Sequence, residues 1–216
     1  MKKTFTVLAL TAVLLLSGCG KAAGPAETAP PVPSPAVQTP EATPTPTPTP
    51  AADVRTAADA LVAAMQQGDF AAVAQYVSPT KGVTFTPYSF VDPGSDRCFT
   101  AAQVAAFGSD NTTYLWGAYD GSGNPMQLTP QEYWNEFVWN ADYTQAPDVT
   151  VNGIAQSGLA IENVTEAYPD ATFVEYHFGG LDEKEEGLDW CALKLVFEQS
   201  AGQWQLIGVI HSQWVI

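Results

Sequence analysis

The sequence predicts an α+β fold, with helices gathered early and a curved antiparallel sheet gathered late, and three observations carry that expectation. Between residues 54 and 77 apolar side chains recur at spacings of three and four, the period of a helix with one buried stripe. Two capping-box sequences, Thr100-Ala101-Ala102-Gln103 and Thr129-Pro130-Gln131-Glu132, mark further helix starts. After Pro147 come segments rich in β-branched and aromatic residues, separated by Gly, Pro, Asn and Asp, which is the composition of strands and their turns.

The chain opens differently. Lys2 and Lys3 precede an apolar stretch from Val7 to Leu16, closed by Leu16-Ser17-Gly18-Cys19. About ten apolar residues fall short of the ~20 that span a bilayer, so a signal peptide is expected over residues 1–19 rather than a membrane helix. Small residues ahead of a cysteine resemble the signal of bacterial lipoproteins. That resemblance implies diacylglyceryl and palmitate-type acylation on Cys19, and a protein anchored on the outer face of the cell membrane of a bacterium of Gram-positive type. Residues 20–52 are mostly Ala, Pro, Thr, Ser and Glu, with four Thr-Pro repeats over 43–50, and they hold no large aromatic or branched apolar cluster from which to build a core. A disordered spacer is expected there, since proline fixes the backbone and removes donors.

Residues 53–216 should form one globular domain, long enough for a sizeable core. Val54, Ala58, Leu61, Val62 and Met65 line one face of a first helix that Gly68 ends. Asp69 caps a second, shorter helix with Phe70, Val73, Tyr76 and Val77 inward, stopped at Ser78-Pro79. A third helix starts at Thr100. The fourth starts at Thr129 with Pro130 at its favoured first position, and points Tyr133, Phe137 and Val138 inward. A strand is expected over 112–119, and the sheet over 148–155, 158–168, 172–178, 188–198 and 203–216, joined as a meander of hairpins.

The segment Ala58 to Pro79, with Gln67-Gly68-Asp69-Phe70 between two helices, resembles the opening of nuclear transport factor 2-like domains. Lys81-Gly82-Val83-Thr84-Phe85-Thr86-Pro87-Tyr88 and Ile207-Gly208-Val209-Ile210-His211-Ser212-Gln213-Trp214 resemble stretches of uncharacterised Gram-positive lipoproteins. The likeness implies a cone of helices and bent sheet enclosing a pocket. It implies no particular activity, because that fold hosts enzymes, binders and assembly domains.

Charge and cysteines bound the function. With 23 Asp+Glu against 8 Lys+Arg the net charge is −15, and loss of Lys2 and Lys3 with the signal would make it more negative. Such a surface repels phosphate backbones, so nucleic acid is not an expected partner. Beyond Cys19 only Cys98 and Cys191 remain, an even pair in an oxidising compartment, as either a disulfide or two free thiols. No cofactor motif appears, and two histidines without a thiol constellation do not make a structural zinc site.

The most chemical cluster lies in the late strands. If a loop over 179–187 sets Phe178 opposite Leu188, then His177 faces Asp189, Glu175 lies beside Cys191, and the three share a face with Leu193, Leu195 and Trp204. A carboxylate holding an imidazole is the arrangement that general acid–base catalysis needs. The plainer reading is a polar fringe of the sheet. His211 is expected as a hydrogen-bonded core histidine. Asp120-Gly121-Ser122-Gly123-Asn124-Pro125 and Asp182-Glu183-Lys184-Glu185-Glu186 read as turns rather than calcium loops. Trp116, Trp134, Trp139 and Tyr143 offer flat faces suited to a glycan or an apolar ligand, against a role in core packing. The expected function is therefore a membrane-anchored domain that binds a small molecule, glycan or cell-envelope protein without catalysis, with a pocket enzyme using His177 and Asp189 or Glu175 as the alternative.

Overall fold

The computed structural model describes residues 53–215, so the signal, Cys19 and spacer expected over 1–52 lie outside the described residues. Helix α1 (Val54–Gln66) buries the five apolar residues of its predicted stripe. It ends at Gly68, whose φ of +62° an L side chain rarely adopts. The Asp69 carboxylate then accepts the backbone N–H of Ala72 at 2.9 Å and starts α2 (Phe70–Ala74). Strands β1 (Val83–Thr86) and β2 (Arg97–Phe99) follow, then α3 (Ala101–Ala105), with its capping box formed at Thr100 and Gln103. Strands β3 (Tyr114–Ala118) and β4 (Pro125–Leu128) make a separate two-stranded ribbon. Helix α4 (Pro130–Tyr133), boxed by Thr129 and Glu132, runs on into a π-helical turn over Trp134–Val138. Strand β5 (Asp148–Val151), helix α5 (Val164–Ala167), and strands β6 (Thr172–Phe178), β7 (Cys191–Ser200) and β8 (Gln203–Gln213) complete the order.

The main sheet has six strands in the order β2-β1-β8-β7-β6-β5. All neighbours are antiparallel except β1 and β8, which are parallel. A bulge between Val196 and Phe197 interrupts the long β7–β8 ribbon, and such bulges bend and twist a strand pair. On one face, Val174, Tyr176, Leu193, Leu195 and Val209 pack with α1, α2 and the aromatic rings of the α4 region. Trp116 and Tyr133 stack there with centroids 3.8 Å apart, and Phe99 meets both Phe85 and Phe107 edge to face beside them. The Tyr176 hydroxyl donates to Asp59 at 2.7 Å, tying β6 to α1. On the opposite face a smaller cluster of Val91, Val164, Phe173, Val196, Ile207 and Ile210 lies with α5.

Four expectations are corrected. The sheet is not confined to the late chain, because β1 and β2 fall between α2 and α3. Gly82 makes their hairpin approach possible: a side chain there would meet the Phe99 carbonyl oxygen at 2.6 Å. Nor is the sheet a pure meander, since β1 joins it parallel to β8. Residues 158–168 are not a strand: 152–163 form an irregular strap across the second face, and α5 takes the remainder. The alternation of Leu159 and Ile161 that suggests a strand instead points both side chains into solvent, at 73% and 70% exposure. Finally, the β6–β7 register is displaced by three residues. Phe178 pairs with Cys191, not Leu188, because the Asp189 carboxylate accepts from the amides of Leu181 and Asp182 at 3.0 and 2.6 Å and lengthens the loop.

Candidate functional site

An odd register displacement exchanges the faces of a strand's side chains. His177 therefore sits opposite Ala192 and Glu175 opposite Lys194, while Leu193 and Leu195 point to the other side. The anticipated convergence of His177, Asp189 and Glu175 does not form. One oxygen of Asp189 accepts from the loop amides of Leu181 and Asp182. His177 is 5% exposed, and its Nδ1 lies 3.7 Å from Asp148, beyond hydrogen-bond reach. Among the described residues neither of its ring nitrogens has a hydrogen-bond partner.

Glu175 belongs instead to a buried ion cluster that the sequence reading missed. Lys194, with no exposed surface, donates to Ser212 at 2.6 Å and pairs with Glu162 at 2.7 Å and Glu175 at 3.3 Å. Glu175 also accepts the Ala155 amide at 2.6 Å, and Ser89 donates to Ser212 at 2.9 Å. An ammonium enclosed by two carboxylates is an ion-pair partner rather than a base for Ser212, so this constellation is not a nucleophile–base pair. Its work is mechanical: Ala155 and Glu162 are pulled down from the strap onto β6, β7 and β8. The available sequence signal was one lysine inside the apolar run Ala192-Leu193-Lys194-Leu195-Val196. A charge there is tolerated only with partners.

The aromatic residues expected to face a glycan are mostly interior. Trp116, Trp134 and Tyr143 are 1%, 3% and 1% exposed, and Trp139 packs against the same core. Trp134 lies off the Tyr133–Phe137–Val138 stripe, but the π-helical turn widens the face that the segment buries. The thiols of Cys98 and Cys191 are free, one exposed and one buried. They stand on β2 and β7 with β1 and β8 between them, roughly 14 Å at ordinary strand spacing, too far for a disulfide. Burial pushes the Cys191 thiol above its usual pKa, which disfavours the reactive thiolate. His211 is a core histidine as expected, hydrogen-bonded to Gln213 at 3.0 Å. Residues 120–124 turn the chain between β3 and β4 with Gly121 and Gly123 at positive φ. Among the described residues no group of three or more His, Cys, Asp or Glu is placed to hold a metal ion.

What the surface does offer is an apolar groove of about 300 Å³, lined by Tyr88, Phe90, Asp120, Leu159, Ala160, Ile161 and Val215. Its walls follow from local alternation. Ser89 turns inward to Ser212, while Phe90 is exposed and Tyr88 lies half-buried at the edge of the main core. The Asn163 side chain accepts from the Val91 amide at 2.8 Å and donates to the Val91 carbonyl at 3.0 Å, locking the end of the strap beside Phe90. With Glu162 drawn inward by Lys194, Ile161 must face out. At the far end the Tyr88 hydroxyl accepts the Asp120 amide at 3.0 Å, and its ring meets Phe137 edge to face. Phe90, Leu159, Ile161 and the nearby Trp214 are all at least 40% exposed. Apolar groups held apart from the core in this way forgo about 1.5–3 kcal/mol each, and contiguous patches of them mark contact sites.

No protein-family model matches the chain, and no curated protein sequence does. Among solved structures it is similar to a candidate calcium/calmodulin-dependent protein kinase II association domain from Xanthomonas campestris, at 14% identity over 74% of this chain and 84% of that one, with a TM-score of 0.31. A DUF4783 family protein from Bacteroides ovatus aligns at 9% identity over 71% and 92%, with a TM-score of 0.33. A candidate dehydratase of the NTF2-like family from Streptomyces avermitilis aligns at 14% identity over 76% and 95%, with a TM-score of 0.36. Likenesses of this size carry no argument about activity, and the α+β assignment rests on the chain's own helices and antiparallel-rich sheet.

Proposed function

We propose that this chain is a lipoprotein of the bacterial cell envelope. It is acylated on Cys19, held on the outer face of the membrane, and spaced from it by residues 20–52. Its nuclear transport factor 2-like domain, with N-terminal helices packed on the bent sheet, binds a small apolar molecule without transforming it. One observation carries the binding reading: the groove between the Tyr88–Phe90 segment and the strap, whose apolar walls are fixed from beneath by Lys194 and Asn163. A volume near 300 Å³ is at the small end of ligand sites, and apolar walls with few polar groups are their usual lining. Against catalysis stand the pairing of His177 with Ala192 rather than Asp189, the engagement of one Asp189 oxygen by its loop, and that of Glu175 by Lys194.

The test uses the neutral fluorescent probe N-phenyl-1-naphthylamine and the full chain. Saturable fluorescence enhancement is expected, weakened at least tenfold by Ile161→Asp and by Phe90→Ser, and unchanged by His177→Ala. Equal binding by the wild type and both groove variants would overturn the reading.

A further inference from the structure

The two ends of the groove differ in chemistry. Phe90, Leu159, Ile161 and Val215 form an apolar body. At the other end Tyr88 and Asp120 meet, and the neighbouring Tyr119 hydroxyl donates to Glu136 at 3.3 Å. We infer that the groove takes a hydrophobic cation, with its apolar chain along Phe90, Leu159 and Ile161 and its positive head between Asp120 and Glu136 against the Tyr88 ring. This inference rests on the binding reading above and names the ligand class for the same site.

Four further observations support it. Burial raises the Tyr88 phenol above its ordinary pKa; the Asp120 amide bonded to its oxygen works against this, while the negative charges of Asp120 and Glu136 raise it, so both carboxylates act on the same side chain. Tyr119 is shifted in the same direction by burial, Glu136 and Glu132. A cation placed there meets an acidic field and an aromatic face, the pairing by which quaternary ammonium groups are recognised. The one positive group beneath the strap, Lys194, is compensated by Glu162 and Glu175 and gives no opposing field. At the scale of the whole chain a net charge of −15 draws cations and repels carboxylate and phosphate amphiphiles.

Displacement of the bound neutral probe from the full chain distinguishes the two readings, using octyltrimethylammonium, 1-octanol and octanoate as competitors of equal chain length. The cation is expected to bind at least tenfold more tightly than octanol, with octanoate weakest. The advantage should shrink severalfold in Asp120→Asn and Glu136→Gln, which leave the apolar walls intact, and in high salt. Octanol binding as tightly as the cation, with both lost in Ile161→Asp, would overturn the cation inference and leave the apolar site standing. Failure of the probe itself to bind the groove would remove both.

Discussion

His211 shows how one side chain sets a response to pH. It lies on the helix-facing side of β8, with its ring edge to face with Phe137 and Nε2 bonded to Gln213. Burial, with some repulsion from Lys194, pulls its pKa down to about 4 from an ordinary 6.5. Between these values the unfolded chain binds a proton that the folded chain refuses. Stability is therefore full above about pH 6.5 and falls as the pH drops toward 4, in all by about 3 kcal/mol. Urea melts at pH 7 and 4.5 should show the wild type losing about 2–3 kcal/mol more than His211→Gln, which keeps an amide near Gln213 but does not titrate. Equal losses would show that another group governs the acid limb. His211 as a core residue was legible in the sequence because it sits in an apolar strand. The caps at Asp69, Thr100 and Thr129 were legible for a related reason, since each bond spans only three residues. Trp134 was not, because a π-helical turn leaves no mark in the spacing of apolar residues.

At the scale of elements, the decisive unit is the strap over 152–163 and the three strands beneath it. Its placement depends on a register that pattern could not fix. Alternation along β6 is the same for any pairing, and the choice is made by Asp189 closing a loop through two backbone amides. Once β7 is displaced, Lys194 meets Glu175, and the cluster gathers Ser212, Ser89 and Glu162 from segments up to 123 residues apart in the chain. The lone lysine in an apolar strand signals that partners exist, but no local signal says which. Removing one member strands the others, so Lys194→Met should cost about 3–5 kcal/mol in urea unfolding, whereas Lys194→Met combined with Glu175→Leu should cost much less. The same single variant should speed hydrogen exchange of the Ala155 amide, whose acceptor Glu175 it leaves unpaired. A loss below 1 kcal/mol for Lys194→Met would mean that the cluster does not hold the strap. The groove would then owe its shape to the Asn163–Val91 bonds alone.

At the scale of the whole molecule the governing quantity is charge. A chain with a net charge of −15 has no electrostatic reason to lie on a bilayer whose lipids are themselves anionic. The polybasic patches that hold peripheral proteins add about 1 kcal/mol per Lys or Arg, and this sequence has only 8 such residues, two of them in the expected signal. Attachment by acyl chains is of another kind: each buried methylene contributes about 0.8 kcal/mol, and salt does not screen it. The lipid anchor proposed at Cys19 thus makes a sharp forecast for fractionated cells. Wild-type protein should stay with the membranes through a 1 M salt wash, and intact mass should show the added acyl groups. Cys19→Ala should leave the membranes even at low ionic strength, because repulsion, not residual adhesion, is what remains once the lipid is gone. Retention of that variant at low salt with release at high salt would point to electrostatic adhesion by a basic partner. Retention under both conditions would point to an apolar contact, and the exposed wall of Phe90, Leu159 and Ile161 would be the first surface to mutate.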